Sequence, residues 1–255
     1  MGLTEVEFWE DYWAGCRLPA TIDEGFSFER CLAAELRRNL SGTKGEVLEV
    51  GCAPGKWLAF AAKEMGLKPS GIEYTRAGMA ATIKNLKMLG VEYGDIWEGD
   101  FFKLKPSRLF DVVMSFGFIE HFENVDEVVR LHMDWLRPGG MLILGVPNFR
   151  GVYRPVQAIL DREILDKHNL KIMTPDYFRG LAQRHGLLIK SLGYIGSFEP
   201  ALPMIKPGSG GVARTAIKGV LKILSRLRRL QIFDSINSRF FSSYILAVYQ
   251  KKAES

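Results

Sequence analysis

A glycine-rich turn between a predicted strand and a predicted helix is the sequence feature with the clearest chemical meaning. It runs from Gly51 to Gly55, within the stretch Glu-Val-Gly-Cys-Ala-Pro-Gly that begins at Glu49. Glycines let the backbone approach a ligand closely, and the helix that follows offers free N–H groups at its N-terminus. A nicotinamide-binding fold would favour Gly-x-Gly-x-x-Gly, whereas Ala53 stands here where a middle glycine is usual.

Two acidic residues further along form an ordered set with this turn. Glu73 ends the next predicted strand, 22 residues after Gly51, where its carboxylate can accept hydrogen bonds from two ribose hydroxyls. Asp100 and Phe101 follow the third predicted strand and can hold an adenine by its amino group and its face. The three features together predict a site for an adenosine-containing cofactor.

The best candidate for a general base is a histidine after the fourth predicted strand. His121 follows that strand at the carboxyl edge of the sheet, where folds of this kind bind ligands. The alternative is that His121 is structural or lines the cofactor pocket. Glu120, which precedes it, is equally well explained as an outward-facing helix cap.

Three histidines and a tyrosine receive weaker assignments. His168 and Tyr153 lie in a mixed segment, 148–174, that has the character of an inserted cap, so both are candidates to face a substrate. His132 and His185 fall on predicted helices and are expected at the surface.

Strands and helices alternate between residues 46 and 146, and this order must position the candidate side chains. Strands are predicted at 46–50, 69–73, 95–98, 110–116 and 141–146, and helices at 56–65, 76–89 and 125–136, with 137–140 as a stop. Such units form right-handed crossovers, so we expect an α/β fold with a mostly parallel sheet and helices on both faces. Beyond this core, helices are predicted in the first forty residues and at 177–185, and strands at 187–195 and 244–250.

The composition is that of a folded globular protein. The chain has 255 residues, of which 47% are hydrophobic and 25% charged, which excludes a disordered or fibrous chain. No apolar run reaches the roughly 18 residues that a membrane-spanning helix needs, and the N-terminus lacks the pattern of a secretory signal. Three cysteines, Cys16, Cys31 and Cys52, provide neither a disulfide framework nor a zinc-binding spacing. The sequence therefore predicts a reduced, cytoplasmic protein without a metal site.

One segment carries the positive charge of the chain. The net charge is +5, and seven basic residues with no acid lie between Glu199 and Asp234, so the remainder would carry −2. Within this segment, 213–230 predicts a basic amphipathic helix. That pattern is typical of a helix lying on a membrane surface, but it also fits a helix packed on its own domain or a dimer contact.

The ordered motifs resemble those of class I S-adenosylmethionine-dependent methyltransferases. In the family's order, the matching stretches are 47–55, 71–73, 98–101, 110–116, 119–121 and 136–140. The last two strands are similar to the family's closing antiparallel pair, so the resemblance implies a Rossmann-like sheet of seven strands. The Glu-His pair and the Leu-Arg-Pro-Gly-Gly turn are most similar to small-molecule methyltransferases, including those of quinone biosynthesis.

The resemblance implies a set of residues around S-adenosylmethionine, which leaves as S-adenosylhomocysteine. The turn would hold the methionine end, and an N-terminal helix often folds over the cofactor in this family. Phe118 is expected in the core, and for Phe116 a place in the core is an equal alternative to contact with the cofactor. Cys52 is expected to contribute its backbone rather than to act as a nucleophile. The implied contacts are Glu49, Gly51, Cys52, Ala53, Gly55, Glu73, Tyr74, Asp100, Phe101 and Phe116, with Tyr12 and Trp13 from the N-terminal helix, for which core packing is the alternative.

Methyl transfer requires the acceptor atom, the methyl carbon and the sulfur to be held in line, with water excluded. A base is needed only where the acceptor must lose a proton, as a phenol or alcohol must. The predicted function is methyl transfer to a small molecule, with O-methylation of an apolar or aromatic metabolite first and N- or C-methylation open. The alternatives are an RNA or other macromolecular methyltransferase and a module without turnover. No nucleic-acid partner is expected, and the oligomeric state is left open.

The predicted organisation is one methyltransferase domain over residues 1–255. A helical lid (1–44) precedes a cofactor-binding core (45–147) and a cap insertion (148–174). The closing strands lie in 175–255, with a basic helical insertion at 200–240.

Overall fold

The computed structural model describes residues 4–203, 212–227 and 237–253. The strands are β1 (Glu46–Val50), β2 (Lys68–Glu73), β3 (Ile96–Glu98), β4 (Phe110–Phe116), β5 (Leu136–Pro147), β6 (Leu188–Ile195) and β7 (Tyr244–Gln250). The helices are α1 (Val6–Ala14), α2 (Ser27–Leu40), α3 (Lys56–Met65), α4 (Arg76–Met88), α5 (Val125–Asp134), α6 (Tyr153–Leu160), α7 (Arg162–Asp166), α8 (Pro175–His185) and α9 (Val212–Leu227). Short 3₁₀ turns lie at Ile119–His121 and Leu170–Ile172.

The strands form one sheet in the order β3-β2-β1-β4-β5-β7-β6. Strands β1 to β5 pair in parallel, and β7 runs antiparallel to both of its neighbours. The predicted Rossmann-like α/β fold with a seven-stranded, mostly parallel sheet is thus confirmed. The strand order reverses between β1 and β4, and the crevice outside the carboxyl ends of these strands is where folds of this type bind ligands.

Helices cover both faces of the sheet because the central strands are apolar on both sides. In β1, Leu48 belongs to a core that contains residues of α5 and α8, whereas Val47 belongs to a second core with α2 and α3. Neither side chain is exposed. Burying a side chain of this kind contributes roughly 1.5–3 kcal/mol, so both faces hold the central strands in place.

Polar caps fix the start of three helices. The Thr75 hydroxyl accepts a hydrogen bond from the Gly78 amide at 3.1 Å, and Asn124 caps α5 through the Glu127 amide at 3.3 Å. Thr174 caps α8, with Pro175 in its first turn. Each cap is worth about 1 kcal/mol. The caps of α4 and α5 also place the loops after β2 and β4, where the candidate site lies.

The stop predicted at 137–140 does not separate a helix from a strand. Strand β5 begins at Leu136, and its pairing with β4 shifts between Phe110↔Leu136 and Val112↔Met141. Gly139 has a φ of +77°, which glycine adopts without strain. The turn residues therefore form a bulge inside a longer strand, because sheet pairing resumes beyond them.

His132 corrects another expectation, since it is fully buried on α5 rather than exposed. It shares the buried stripe of that helix with Val125, Val128 and Val129. This spacing is that of one helix face, so the polar ring points into the core.

The C-terminal insertion is described only in part. Helix α9 covers most of the predicted basic helix at 213–230, but 228–230 lies outside the described residues, as do 204–211 and 228–236 of the insertion predicted at 200–240. Among the described residues, no helix is long and apolar enough to cross a membrane. The subdivision into lid, core and cap stays a prediction.

Candidate active site at the carboxyl edge of the sheet

The turn between β1 and α3 has the backbone that only glycine accommodates well. Gly51 and Gly55 have φ values of +71° and +83°. A Cβ at Gly51 would stand 2.9 Å from the Phe118 ring, and one at Gly55 would stand 2.9 Å from Thr82 Cγ2. Both glycines are therefore required by close packing as well as by conformation, and they keep the N-terminus of α3 open towards the crevice.

Glu73 links this turn to the next loop. Its Oε2 accepts a hydrogen bond from the Ala53 amide at 3.3 Å, and its Oε1 accepts from the Thr75 amide at 3.1 Å and the Thr75 hydroxyl at 2.8 Å. Burial raises the pKa of the carboxyl above its ordinary value, while these hydrogen bonds act in the opposite direction. The neighbouring Tyr74 side chain is exposed. Glu73 thus lies at the end of β2, which is the position predicted for an acid that binds the ribose.

Glu49 at the end of β1 is a buried carboxylate with an unmatched oxygen. Its Oε2 has no hydrogen-bond partner among the described residues, and burial raises its pKa well above the ordinary value. The Lys56 ammonium acts in the opposite direction on that pKa. A buried oxygen of this kind favours a cationic ligand group, and the methionine end of S-adenosylmethionine carries an ammonium. The residues of the turn therefore fit the predicted cofactor.

Several aromatic rings lie beside the turn. The Phe118 ring contacts Gly51 and lies edge-on to Phe101, with ring centroids 5.9 Å apart. The Phe116 ring packs on Trp57 with centroids 5.4 Å apart, and its contact with the cofactor stays a prediction. Phe118 was expected in the core, and it does pack on the core at the same time as it covers the turn.

Asp100 lies in the loop after β3. Its Oδ1 accepts a hydrogen bond from the Phe102 amide at 3.0 Å, and its other oxygen pairs with Lys103 at 3.3 Å. The Phe101 ring beside it is buried. The loop is thus held in shape by its own polar groups, at the position predicted for adenine.

Cys52 has its side chain buried beneath the turn. Its Sγ lies 3.9 Å from the Thr82 hydroxyl and blocks any side chain at Gly71. Burial is the main cause that raises the thiol pKa well above its ordinary value, so the group stays protonated. The turn contains no activated nucleophile at this position, and Cys52 can meet a ligand through its backbone.

His121 is buried in the 3₁₀ turn after β4. Its Nδ1 lies 3.0 Å from the Lys167 carbonyl oxygen, which can only accept, so Nδ1 carries the proton and Nε2 keeps a lone pair. Burial and the neighbouring His168 lower the pKa of His121 to about 3. The ring is therefore neutral at pH 7, and on its own it is a weak proton acceptor.

Glu120 and His168 lie beside His121. The Glu120 side chain is buried rather than outward-facing, and burial raises its pKa to about 8. The rings of His121 and His168 have centroids 4.7 Å apart. The segment after β5 thus brings His168 to the loop after β4, a contact that the sequence did not predict, and its role towards a substrate stays a prediction.

Helix α1 approaches this group through Trp9. The Trp9 indole meets the His121 ring edge-on, and Glu10 accepts a hydrogen bond from the Ala77 amide at the start of α4 at 3.0 Å. Tyr12 and Trp13, the predicted lid contacts, pack on one another at 4.8 Å, and Tyr12 is exposed. The lid formed by α1, and the cofactor contacts of Tyr12 and Trp13, stay predictions.

Tyr153 lies in the core rather than in a position to face a substrate. It is fully buried, and its hydroxyl accepts a hydrogen bond from the Glu199 amide at 2.6 Å and donates to the Phe241 carbonyl at 3.4 Å. Both hydrogen-bonding capacities of the hydroxyl face the backbone, which leaves it a structural role.

Comparison with known proteins decides the family. A family model described as a methyltransferase domain matches residues 26–192, which is more than half of the chain. The chain belongs to this methyltransferase family. The predicted S-adenosylmethionine-dependent methyltransferase is thereby confirmed, and with it an enzyme of the transferase class.

Individual relatives are more distant. The chain is 27% identical over 106 residues to a ubiquinone biosynthesis O-methyltransferase of Rickettsia canadensis, covering 42% of this chain and 44% of the relative. It is 26% identical over 131 residues to a probable S-adenosylmethionine-dependent methyltransferase of Mycolicibacterium smegmatis, covering 51% and 49%. The chain thus spans less than half the length of these curated relatives.

A solved structure resembles the whole fold. The SAM-dependent methyltransferase from Thiobacillus denitrificans, solved in complex with S-adenosyl-L-homocysteine, superposes with a TM-score of 0.62. The superposition covers 96% of this chain and 98% of that one, at 16% sequence identity. At 16% identity this superposition shows a shared fold and does not by itself show a shared substrate.

Proposed function

We propose that this methyltransferase transfers the methyl group of S-adenosylmethionine to an oxygen of a small apolar or aromatic molecule. The observation that carries the proposal is the group of aromatic rings at the carboxyl edge of β1 and β4, where Phe118 adjoins the glycine turn and His121 lies three residues further along the chain. A small apolar acceptor suits this apolar group, in which the Phe118 ring contacts those of Phe101 and Phe122. The likeness to ubiquinone biosynthesis O-methyltransferases supports oxygen as the acceptor atom.

In the proposed reaction, the residues of this chain bind the cofactor, align the acceptor with its methyl group and exclude water from the site. The turn at Gly51 and Gly55 and the carboxylates of Glu49 and Glu73 hold the cofactor. Trp9 and Phe118 exclude water from the space between the turn and His121. S-adenosylmethionine supplies an electrophilic methyl group, so alignment of the acceptor oxygen is the main requirement.

We assign His121 to the acceptor hydroxyl: although burial makes the neutral ring a weak base, it can accept the hydroxyl's hydrogen bond and take up the proton as the methyl group transfers. Its Nε2 has a free lone pair, because Nδ1 donates to the Lys167 carbonyl. His121→Ala is expected to slow turnover by roughly a hundredfold without changing the cofactor Kd. Normal turnover in this variant would remove the residue from the mechanism.

The acceptor class can be tested with methyl-labelled S-adenosylmethionine and a metabolite extract, separated into organic and aqueous phases. Label in the organic phase is the expected result. Label in the aqueous phase alone would replace the apolar acceptor with a polar one. Label in neither phase, with the cofactor bound, would favour the macromolecular alternative, for which labelled RNA and protein fractions are the next readout.

A peripheral membrane contact through α9 accords with a lipophilic acceptor. Val220 and Ile223 on this helix are exposed, as are the basic residues Lys222 and Arg226. Exposed apolar side chains next to basic ones are typical of helices that lie in the surface of an anionic membrane. A cytoplasmic location, with contact to the membrane surface, stays a prediction.

A further inference from the structure

The buried group formed by Glu120, His121 and His168 has the composition of a metal site. Each of the three residues offers one ligand atom, and these atoms lie within 4.8 Å of one another. All three side chains are at least nine-tenths buried. Two imidazoles and one carboxylate bind divalent transition metals such as zinc and iron, usually with open positions left for water or substrate.

The hydrogen bonds of the two rings leave their metal-binding nitrogens available. Nδ1 of His121 donates to the Lys167 carbonyl at 3.0 Å, and Nδ1 of His168 donates to the Ile164 carbonyl at 2.7 Å. In each ring the proton is therefore fixed on Nδ1, and Nε2 carries the lone pair. Metal-binding histidines are oriented in this way by backbone carbonyls.

The carboxylate provides a second, independent observation. Glu120 Oε1 lies 3.9 Å from His121 Nε2, and Glu120 Oε2 is buried with no hydrogen-bond partner among the described residues. An unmatched buried carboxylate oxygen is costly, and a bound cation would compensate it. Ligands at about 2.1 Å from a tetrahedral ion lie about 3.4 Å apart, so each side chain would move by less than about 1 Å.

We infer that Glu120, His121 and His168 bind one divalent transition-metal ion, with Zn²⁺ the best match to two imidazoles and one carboxylate. No zinc-binding spacing is visible in the sequence, because His168 comes from a different segment of the chain, 47 residues after His121.

The role of the ion rests on the proposed function. At the open position it would bind the acceptor hydroxyl, whose proton passes to solvent and whose oxygen becomes the nucleophile. The oxygen lone pair then forms the bond to the methyl carbon. The electron pair of the carbon–sulfur bond leaves with S-adenosylhomocysteine. As a ligand of the ion through Nε2, His121 would help to lower the pKa of the acceptor hydroxyl and would not take up its proton itself.

Metal binding can be measured without cofactor or acceptor. The full chain, stripped with a chelator, is dialysed against Zn²⁺ and its metal content is determined. We expect one ion per chain, with affinity at least tenfold weaker in Glu120→Gln and His168→Gln. His185→Gln is the matched control, since His185 lies on α8 outside the group, where it pairs with Asp126 of α5. This variant should bind Zn²⁺ as the unaltered chain does. Equal binding by all four proteins, or no binding by the unaltered chain, would overturn the site.

A second measurement needs no variant and covers the case in which a substituted chain fails to fold. In the Co²⁺-loaded protein, two exchangeable, hyperfine-shifted imidazole N–H resonances are expected, one from each Nδ1 proton. A spectrum without them would rule out ligation through Nε2.

Methyl transfer by the stripped protein separates this inference from the proposed function. Zn²⁺ binding with turnover that depends on Zn²⁺ supports both. Full turnover after stripping would remove the ion from the reaction and leave O-methylation standing. Metal binding in a protein that methylates only nitrogen or carbon would overturn the proposed function and the catalytic role, while the site itself would stand.

Discussion

The Trp9 indole stands edge-on to the His121 imidazole, with ring centroids 5.2 Å apart and ring planes at 79°. This contact joins the N-terminal helix to the turn after β4, although the two lie more than a hundred residues apart in the chain. Helix α1 contains no buried residue of its own, so its position depends on contacts such as this one and the bond from Ala77 to Glu10.

Trp9→Ala is expected to lower kcat on the order of tenfold, because water enters the space beside His121. The cofactor Kd should change little, since the turn that binds it is untouched. Tyr12→Ala is the matched control, as it removes an exposed ring from the same helix. Equal losses in both variants would mean that the helix as a whole, rather than the Trp9 ring, is responsible.

Gly51→Ala is expected to abolish measurable cofactor binding. The new Cβ would meet the Phe118 ring at 2.9 Å, and the φ of +71° is strained for any residue with a Cβ. Adding Phe118→Leu should relieve the contact but not the backbone strain, so calorimetry should show only partial recovery. Full recovery would show that contact, and not conformation, requires the glycine. Gly42→Ala, a control with positive φ and open space around it, should bind normally.

Glu73→Gln is expected to weaken cofactor binding by roughly tenfold to a hundredfold. The amide keeps the size of the side chain but loses the charge that strengthens hydrogen bonds to ribose hydroxyls, which are worth about 1.5–3 kcal/mol. Glu46→Gln makes the same change at the opposite end of the neighbouring strand β1 and should leave the Kd unchanged. If isothermal titration finds the same Kd for both variants, Glu73 does not bind the cofactor.

The strands of the core could be predicted from the sequence because each is an apolar run followed by polar turn residues. Phe110–Phe116 and Lys56–Met65 are observed at their predicted bounds, since both are closed by turn residues. The pattern failed at 137–140, where Pro138 and Gly139 look like a stop. Pairing of β5 with β4 resumes at Met141, where pairing with β7 begins, so the strand continues beyond the bulge. No local sequence pattern indicates this long-range pairing.

The candidate site was predictable wherever its residues follow strands. Gly51, Glu73 and His121 stand at strand ends, so topology alone brings them to one edge. The contacts of Phe118 with Gly51, and of His168 with His121, depend on how loops pack, which spacing does not reveal. His132 is different, because its spacing from Val125, Val128 and Val129 already indicated the buried face of α5.

Burial of His132 is expected to make stability depend on pH. Burial lowers the pKa of His132 to about 4, below its ordinary value of 6.5. The stabilising effect of the neutral ring is thus complete above about pH 6.5, and it is lost as the pH falls towards 4, because the unfolded chain takes up a proton that the folded chain does not. Between pH 7 and pH 5 this amounts to at most about 2 kcal/mol in the free energy of unfolding.

Urea unfolding at the two pH values measures this effect. His132→Leu should show a smaller difference between pH 7 and pH 5 than the unaltered chain. Val129→Ala, which removes an apolar neighbour on the same face, should lower stability equally at both pH values. Identical pH differences in all three proteins would show that His132 takes up its proton in the folded state.

Replacing two exposed apolar residues of α9 tests the proposed membrane contact. The unaltered chain is expected to sediment with vesicles of phosphatidylglycerol and not with those of phosphatidylcholine, because Lys222 and Arg226 add an attraction of about 1 kcal/mol each at an anionic surface. Val220→Glu combined with Ile223→Glu should reduce binding at least tenfold, since it removes apolar contact and adds repulsion. Leu188→Glu on β6 makes the same change at another exposed apolar residue and should bind as the unaltered chain does. Equal sedimentation of all three proteins would assign α9 to packing on its own domain or to a dimer contact.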